Sequence, residues 1–136
     1  MSNRTFKLTI QTPEGTLFSG DVTSIKTMTE LGQIQVLAKH ASFITSIQYS
    51  RLILDGVNET ENTFILRRGV LSFNNAENTC SILAEYCQPQ SEISPENVQQ
   101  YLAFLESELT KGHDLKNIQL VYLENEKFAV KKLISN

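Results

Sequence analysis

The sequence predicts a mainly β domain with a helical appendage: an N-terminal antiparallel β-sandwich or barrel of about eight to ten strands, then a C-terminal helical hairpin. Three observations lead there. Apolar and polar residues alternate in short runs through the first part of the chain, turn signals interrupt those runs about every ten residues, and near residue 88 the spacing changes from two to that of a helix.

The strands come first. Phe6, Leu8 and Ile10 alternate with Lys7 and Thr9, the pattern of a half-buried strand. Pro13-Glu14-Gly15 is a turn signal, Leu17-Phe18 follows, and Ser19-Gly20-Asp21 reads as a second turn. Val22 to Met28 is rich in β-branched residues. Ile34, Val36, Ile44 and Ile47 continue the short-strand pattern, and Leu52-Ile53-Leu54 runs into the hairpin dipeptide Asp55-Gly56. Phe64 and Leu66, then Val70, Leu71 and Phe73, read as two strands flanking Arg67-Arg68-Gly69. Asn74-Asn75 starts a turn, and Thr79 to Ala84 forms the last strand, with Cys80, Ile82 and Ala84 on one face.

The helices follow. Gln88-Pro89-Gln90-Ser91 reads as a polar connector, which sets the expected domains at 1–88 and 89–136. Ser94-Pro95 combines a hydroxyl cap with proline at the first helical position. Val98, Tyr101, Leu102, Leu105 and Leu109 form one apolar stripe, so a helix is expected over about 95–110, ended by Gly112. The second segment, about 115–134, reads two ways. Ile118, Val121 and Tyr122 suit a helix face, while Ile118 to Leu123 also has strong β-propensity.

Composition narrows function. The 136 residues carry 40% hydrophobic and 20% charged side chains with a net charge of -3. That balance disfavours nucleic acid as the main partner and supplies no basic patch for an anionic membrane. No apolar run is long enough for a spanning helix, and the N-terminus lacks the apolar centre of a signal peptide, so the chain is expected to stay in the compartment where it is made, without direct lipid insertion. Cys80 and Cys87 match neither a CxxC redox pair nor a zinc pattern and read as reduced thiols, with Cys80 as a small core residue. The two histidines, His40 and His113, support neither a metal site nor a catalytic triad by spacing, and no glycine-rich phosphate loop is present. No catalytic residue, metal or cofactor is expected.

The order of these motifs resembles the epsilon subunit family of rotary ATP synthases (called delta in some lineages). The resemblance rests on the opening strand, the run Thr12 to Gly20, the strand from Val22, and the stretch Glu30 to Ala41 ending in a His-Ala pair. Gly69-Val70-Leu71 and Thr79 to Ala84 close it. It is strong over 4–86 and weak over 110–136. It implies a non-catalytic rotor part of an F-type ATP synthase, in a hetero-oligomer, with the gamma subunit and the membrane c-ring as partners. It also implies a peripheral position on the cytoplasmic face of the bacterial inner membrane or the equivalent organelle membrane, and two C-terminal helices able to reach the alpha/beta head and inhibit hydrolysis.

Residue by residue, Glu30 matches the family's ring-facing acidic residue, with Leu31 and Gly32 beside it, and His40 and Ala41 match the pair near stalk and ring. Without the resemblance, Glu30 reads as a solvated turn residue and His40 as a loop organiser. Four positions depart: Gln35 stands where glycine is common, Ala38-Lys39 where Pro-Gly is common, and Ser42 where proline follows the pair. Some members bind ATP at the start of the first helix through an acidic residue shortly before an arginine. The equivalent stretch here, Ile93 to Val98, has Ser94 and Asn97 at those positions, so no nucleotide binding is expected. Lys127, Lys131 and Lys132 can meet an acidic surface or simply face solvent. Two other readings stay open: a stand-alone β-sandwich binding or adaptor module, weakened by the lack of tryptophan, and a small hydrolase, weakened by the missing catalytic set.

Overall fold

Core residues along the three longest strands change their spacing at one place, and this sets the architecture. A computed structural model describes residues 4–57, 62–110 and 117–134, with side chains of the last stretch described for 123–131. Seven strands form one sheet among the described residues: β1 (Phe6–Thr12), β2 (Gly15–Val22), β3 (Ser24–Thr29), β4 (Gly32–Leu37), β5 (Phe43–Asp55), β6 (Thr63–Asn74) and β7 (Thr79–Pro89). Their order is β2-β1-β7-β6-β5-β3-β4, with β1 parallel to β7 and every other pair antiparallel.

Ile47, Gly69 and Ala84 occupy one row across β5, β6 and β7, and Ser50, Leu66 and Cys87 occupy another. All six are buried. In each strand these inward positions are three residues apart instead of two. The residues between them, Gln48-Tyr49, Arg67-Arg68 and Glu85-Tyr86, lie outside the core cluster. Two successive non-core residues reverse the face that a strand presents inward. Because all three strands reverse in register, the sheet folds over itself and both halves point into one core. That core gathers Phe6, Leu8, Ile10, Val22, Ile25, Val36, Leu52, Leu54, Phe64, Leu71, Phe73 and Ile82. Edge-to-face contacts join Phe6 to Phe73 (5.4 Å) and Phe18 to Phe64 (6.4 Å).

The crease has its own geometry. Arg68 adopts a left-handed φ of 55°, which costs about 1 kcal/mol for a residue with a Cβ. At Gly69 an added Cβ would stand 3.1 Å from Leu66 Cδ1 and 3.3 Å from the Leu83 carbonyl oxygen, too close for a comfortable side chain. The Arg67 guanidinium lies 5.1 Å from the centre of the Tyr86 ring, and Arg68 approaches Glu85 at 3.7 Å in an exposed pair.

Several expectations change. Among the described residues the strands number seven, against the expected eight to ten, because the runs around Ile47 and Leu52 are one strand, as are those around Leu66 and Leu71. Ser19-Gly20-Asp21 makes no turn. It continues β2, paired with Thr9, Leu8 and Lys7 of β1, and Gly20 lies beside the Phe18 ring. The chain breaks at Thr23 instead, whose amide donates to the Asp55 carbonyl at 2.9 Å. Gln88 and Pro89 still belong to β7, pairing with Ile65 and Phe64, and a single 3-10 turn covers Gln90–Glu92.

Contacts group the chain into two units, residues 1–92 and 93–136. The second holds α1 (Pro95–Thr110) and α2 (Asn117–Ile134), which pack on each other as a hairpin. The ambiguous tail is therefore helical. Val98, Tyr101, Leu102 and Leu105 are buried along one stripe of α1. The Tyr101 hydroxyl donates to Glu126 Oε2 at 2.8 Å, a buried bond between the helices. Gly112 and His113 lie outside the described residues, as do the side chains of Ile118, Val121, Tyr122 and Lys132.

Cys80 and Cys87 are both free and buried. They sit seven residues apart on one strand, a path of roughly 23 Å at the usual rise per residue before the crease shortens it. Burial raises each thiol from 9.0 to about 12. Each thiol's contribution is therefore complete below the unfolded pKa near 9 and is lost as pH rises from there to about 12, because the unfolded chain ionises first. Replacing both cysteines with alanine should flatten the alkaline fall of the urea midpoint, and the native thiols should stay silent to Ellman's reagent at neutral pH until urea unfolds the chain.

Candidate functional site

The β3–β4 hairpin closes on Glu30 and Leu31, with Thr29 paired to Gly32. Gly32 supplies the positive φ (109°) that this tight connection needs. Thr29 Oγ1 ties the turn at both ends, donating to the Gly32 carbonyl and accepting from the Leu31 amide, each at 3.0 Å. These bonds leave Glu30 exposed and Leu31 71% exposed at the tip.

A buried hydroxyl sets the direction of this hairpin. The β3–β5 ladder is regular only from Ser24↔Asp55 to Lys26↔Ile53. Beyond it, Ser50 Oγ accepts from Thr27 Oγ1 and from the Met28 amide, both at 3.0 Å, and donates to the Arg51 carbonyl at 2.7 Å. Next the Glu30 amide donates to the Ser46 carbonyl at 3.0 Å. A side chain thus takes the place of a backbone acceptor where β5 creases.

His40 and Ala41 lie in the connection from β4 to β5. His40 Nδ1 is 2.8 Å from the Ala41 carbonyl, which can only accept, so Nδ1 is the donor. The His40 ring packs on Phe43 at 4.8 Å and Phe73 at 5.9 Å. Lys39 before it has a left-handed φ of 66°. The turn after β6 holds that strain: the Lys39 amide donates to Asn78 Oδ1 at 2.7 Å, and Asn75 Nδ2 donates to the carbonyls of Lys39 (2.8 Å) and His40 (3.0 Å). The Asn75 amide donates to Ser42 Oγ at 2.8 Å.

The structure brings the two predicted clusters to one stretch of β5. His40 packs on Phe43 with its ring tilted, and the Glu30 amide reaches Ser46, three residues or roughly 10 Å along the strand. Between them Ile44 points outward and is 69% exposed. Across the sheet, Val70 lies opposite both Ser46 and Leu83. Val70 and Leu83 are also exposed, so Ile44, Val70 and Leu83 form an apolar diagonal among small hydroxyls on the outward face. A groove of about 310 Å³ beside it is lined by Ser42, Ser72, Phe73, Asn74, Thr79 and Ser81.

The diagonal was missed in the sequence, though it leaves a signal. Phe43, Thr45 and Ile47 set the inward phase, so an isoleucine at 44 breaks the polar alternation at an outward position. Ile93, Ser94 and Asn97 sit elsewhere: Ser94 caps α1, its Oγ accepting the Asn97 amide at 3.3 Å. Among the described residues no group of three His, Cys, Asp or Glu side chains could hold a metal, and no described helix is long and apolar enough to cross a membrane.

Residues 5–90 match the family model for the β-sandwich domain of the ATP synthase delta/epsilon chain. The chain is 36% identical over 110 residues to a chloroplastic ATP synthase epsilon chain of Pelargonium hortorum, covering 81% of each. It is 31% identical over 134 residues to the epsilon chain of Clostridium novyi, covering 96% of each. A chain in the Euglena gracilis mitochondrial ATP synthase, OSCP/F1/c-ring in rotational state 1, shares the fold with a TM-score of 0.65 at 16% identity, over 98% of this chain and 82% of that one.

The geometry makes Ser50 the residue that aims the tip. Ser50→Ala would leave the Met28 amide and the Thr27 hydroxyl without their acceptor in a buried site, at a cost of about 1–3 kcal/mol. Urea denaturation should show that loss, and amide exchange should show protection falling first at residues 27–30.

Proposed function

The chain belongs to the ATP synthase delta/epsilon chain family, and on that premise we propose that it is a non-catalytic rotor part of the central stalk, coupling ion-driven rotation of the membrane ring to ATP synthesis. The observation that carries this reading is the pairing, along one stretch of β5, of a rigid exposed tip at Glu30-Leu31 with an exposed apolar diagonal at Ile44, Val70 and Leu83. The tip suits the polar loops of the ring: its acidic side chain can pair with basic or amide groups, and its leucine adds apolar contact. The diagonal suits the gamma subunit, as a dry centre rimmed by serine hydroxyls. His40 and Ala41 lie beside both and act through the packing of the loop.

Rigidity supports the same role. Torque passes through a part only if the part deforms less than its contacts, and a core shared by both halves of a folded sheet resists shear. The helical unit is a separate device. In this reading α1 and α2 reach toward the alpha/beta head and restrain hydrolysis, with exposed Lys131 offering charge. Ser94 serves as a helix cap and Asn97 carries no guanidinium, so nucleotide does not govern the arm. The chain works as a peripheral member of a hetero-oligomer on the cytoplasmic face of the bacterial inner membrane, or its organelle equivalent.

Two measurements check this. Glu30→Ala with Leu31→Asp should weaken retention on ring-containing membranes by about tenfold and lower coupled ATP synthesis, while the urea midpoint stays put because both side chains are exposed. Unchanged retention and synthesis would remove the ring contact. Residues 1–92 alone should keep a single cooperative unfolding transition, since every strand ends by Pro89.

A further inference from the structure

The two ends of the sheet are unequal. β2 and β4 are its edges. β2 carries features that discourage pairing: its register with β1 shifts between Ile10 and Gln11, Gly15 has a φ of 129°, and Asp21 is an exposed charge. β4 shares only the opening glycine of positive φ, Gly32 at 109° in the hairpin turn, and has neither the register shift nor the charge. Its six residues, Gly-Gln-Ile-Gln-Val-Leu, include no charge and no proline, and its register with β3 is unbroken from Ser24↔Leu37 to Thr29↔Gly32. Gln33, Gln35 and Leu37 are exposed, and Leu31 stands exposed just before the strand. The Ser50 and Ser46 bonds hold this hairpin firmly, so the edge is presented as a ready template.

We propose that unassembled copies of this chain pair with one another through β4, antiparallel about a twofold axis at Ile34. The occupant follows from the side chains. With Ile34 on the axis, Gln33 opposes Gln35 of the second copy, and Leu31 opposes Leu37 of the second copy. The axis repeats both pairs, so each exposed leucine meets a leucine and each amide side chain meets an amide. Sliding by two residues either way sets a leucine against a glutamine, and sliding by one puts the exposed set on opposite faces. No like charges meet within the strand. A single edge of this length is a small interface, so the pair is weak and forms with rising concentration.

Leu31 also belongs to the tip assigned to the ring. Resting on that reading, the pair and the assembled complex exclude each other: pairing covers an aggregation-prone edge and keeps the tip occupied until the chain is incorporated. The pairing itself does not need the ring and is tested without it.

The test is sedimentation of the full chain over a wide concentration series. The expected result is a shift from monomer to dimer mass. Gln33→Lys with Gln35→Lys places cations opposite one another twice and should raise the dissociation constant by about tenfold or more. Gln33→Lys with Gln35→Glu places opposite charges across the axis and should restore pairing. Both variants lie on an exposed edge, and unchanged circular dichroism confirms their fold. A chain that stays monomeric throughout overturns the proposal, as does a dimer on which the two charge variants have the same effect. Ring retention of the Glu30 and Leu31 variant is a separate readout, so either idea can fail alone.

Discussion

The whole β unit depends on three strands reversing their inward face at the same row. If only β5 reversed after Ile47, Leu52 and Leu54 would enter the core while Leu66 and Cys87 faced away from it. Because Gln48-Tyr49, Arg67-Arg68 and Glu85-Tyr86 interrupt the alternation together, the rows above and below the crease both close on one cluster. Each buried aliphatic side chain so recruited contributes about 1.5–3 kcal/mol. That gain outweighs the left-handed Arg68 and the mostly solvated Arg68–Glu85 pair, which contributes little. Gly69 is costly to replace there, since a Cβ would press on Leu66 Cδ1 and on the carbonyl of Leu83 and force them to shift.

The same crease explains what could be read from the sequence and what could not. Alternation marked nearly every strand, and Ser94-Pro95 with the stripe from Val98 to Leu105 marked α1. A phase slip inside a strand looks like a strand end, so β5 and β6 were each read as two. Ser19-Gly20-Asp21 looked like a turn from composition, but pairing with β1 holds it extended. The segment from Ile118 to Leu123 carries β-formers, yet it lies in α2 and its neighbour is a helix, α1. Glu30 and His40 became candidates through the order of motifs around them. Ile44, Val70 and Leu83 were not, because their common face depends on register across three strands that no single stretch of sequence encodes.

The hairpin that carries Glu30 shows how the crease reaches the surface. Where β5 changes phase, the regular β3–β5 ladder stops after Lys26↔Ile53, and the amide of Met28 needs another acceptor. Ser50 provides it while remaining fully buried. A buried hydroxyl with three partners is well satisfied, whereas its loss leaves donors unpaired in a dry place. The tip is therefore fixed to the fold point rather than hung from a flexible loop. An exposed side chain so anchored can pass force without first straightening its own support.

The loop beside the tip reaches similar stiffness by other means. Where the resemblance expects Pro-Gly, this chain has Ala38-Lys39, and where it expects proline it has Ser42. Glycine would adopt the left-handed conformation at position 39 without strain, and lysine does not. The Lys39 φ of 66° is held by bonds from Asn75 and Asn78, two side chains of one turn, and Ser42 accepts the amide of that same Asn75. Asn78 also donates to the Thr5 carbonyl at 2.8 Å, which ties the turn to the residue preceding β1. Conformational restriction from the backbone has been exchanged for restriction from hydrogen bonds across the chain. The loop's order thus depends on an asparagine turn more than thirty residues away, and a substitution at Asn75 or Asn78 would loosen His40 and Ala41 from outside the loop's own sequence.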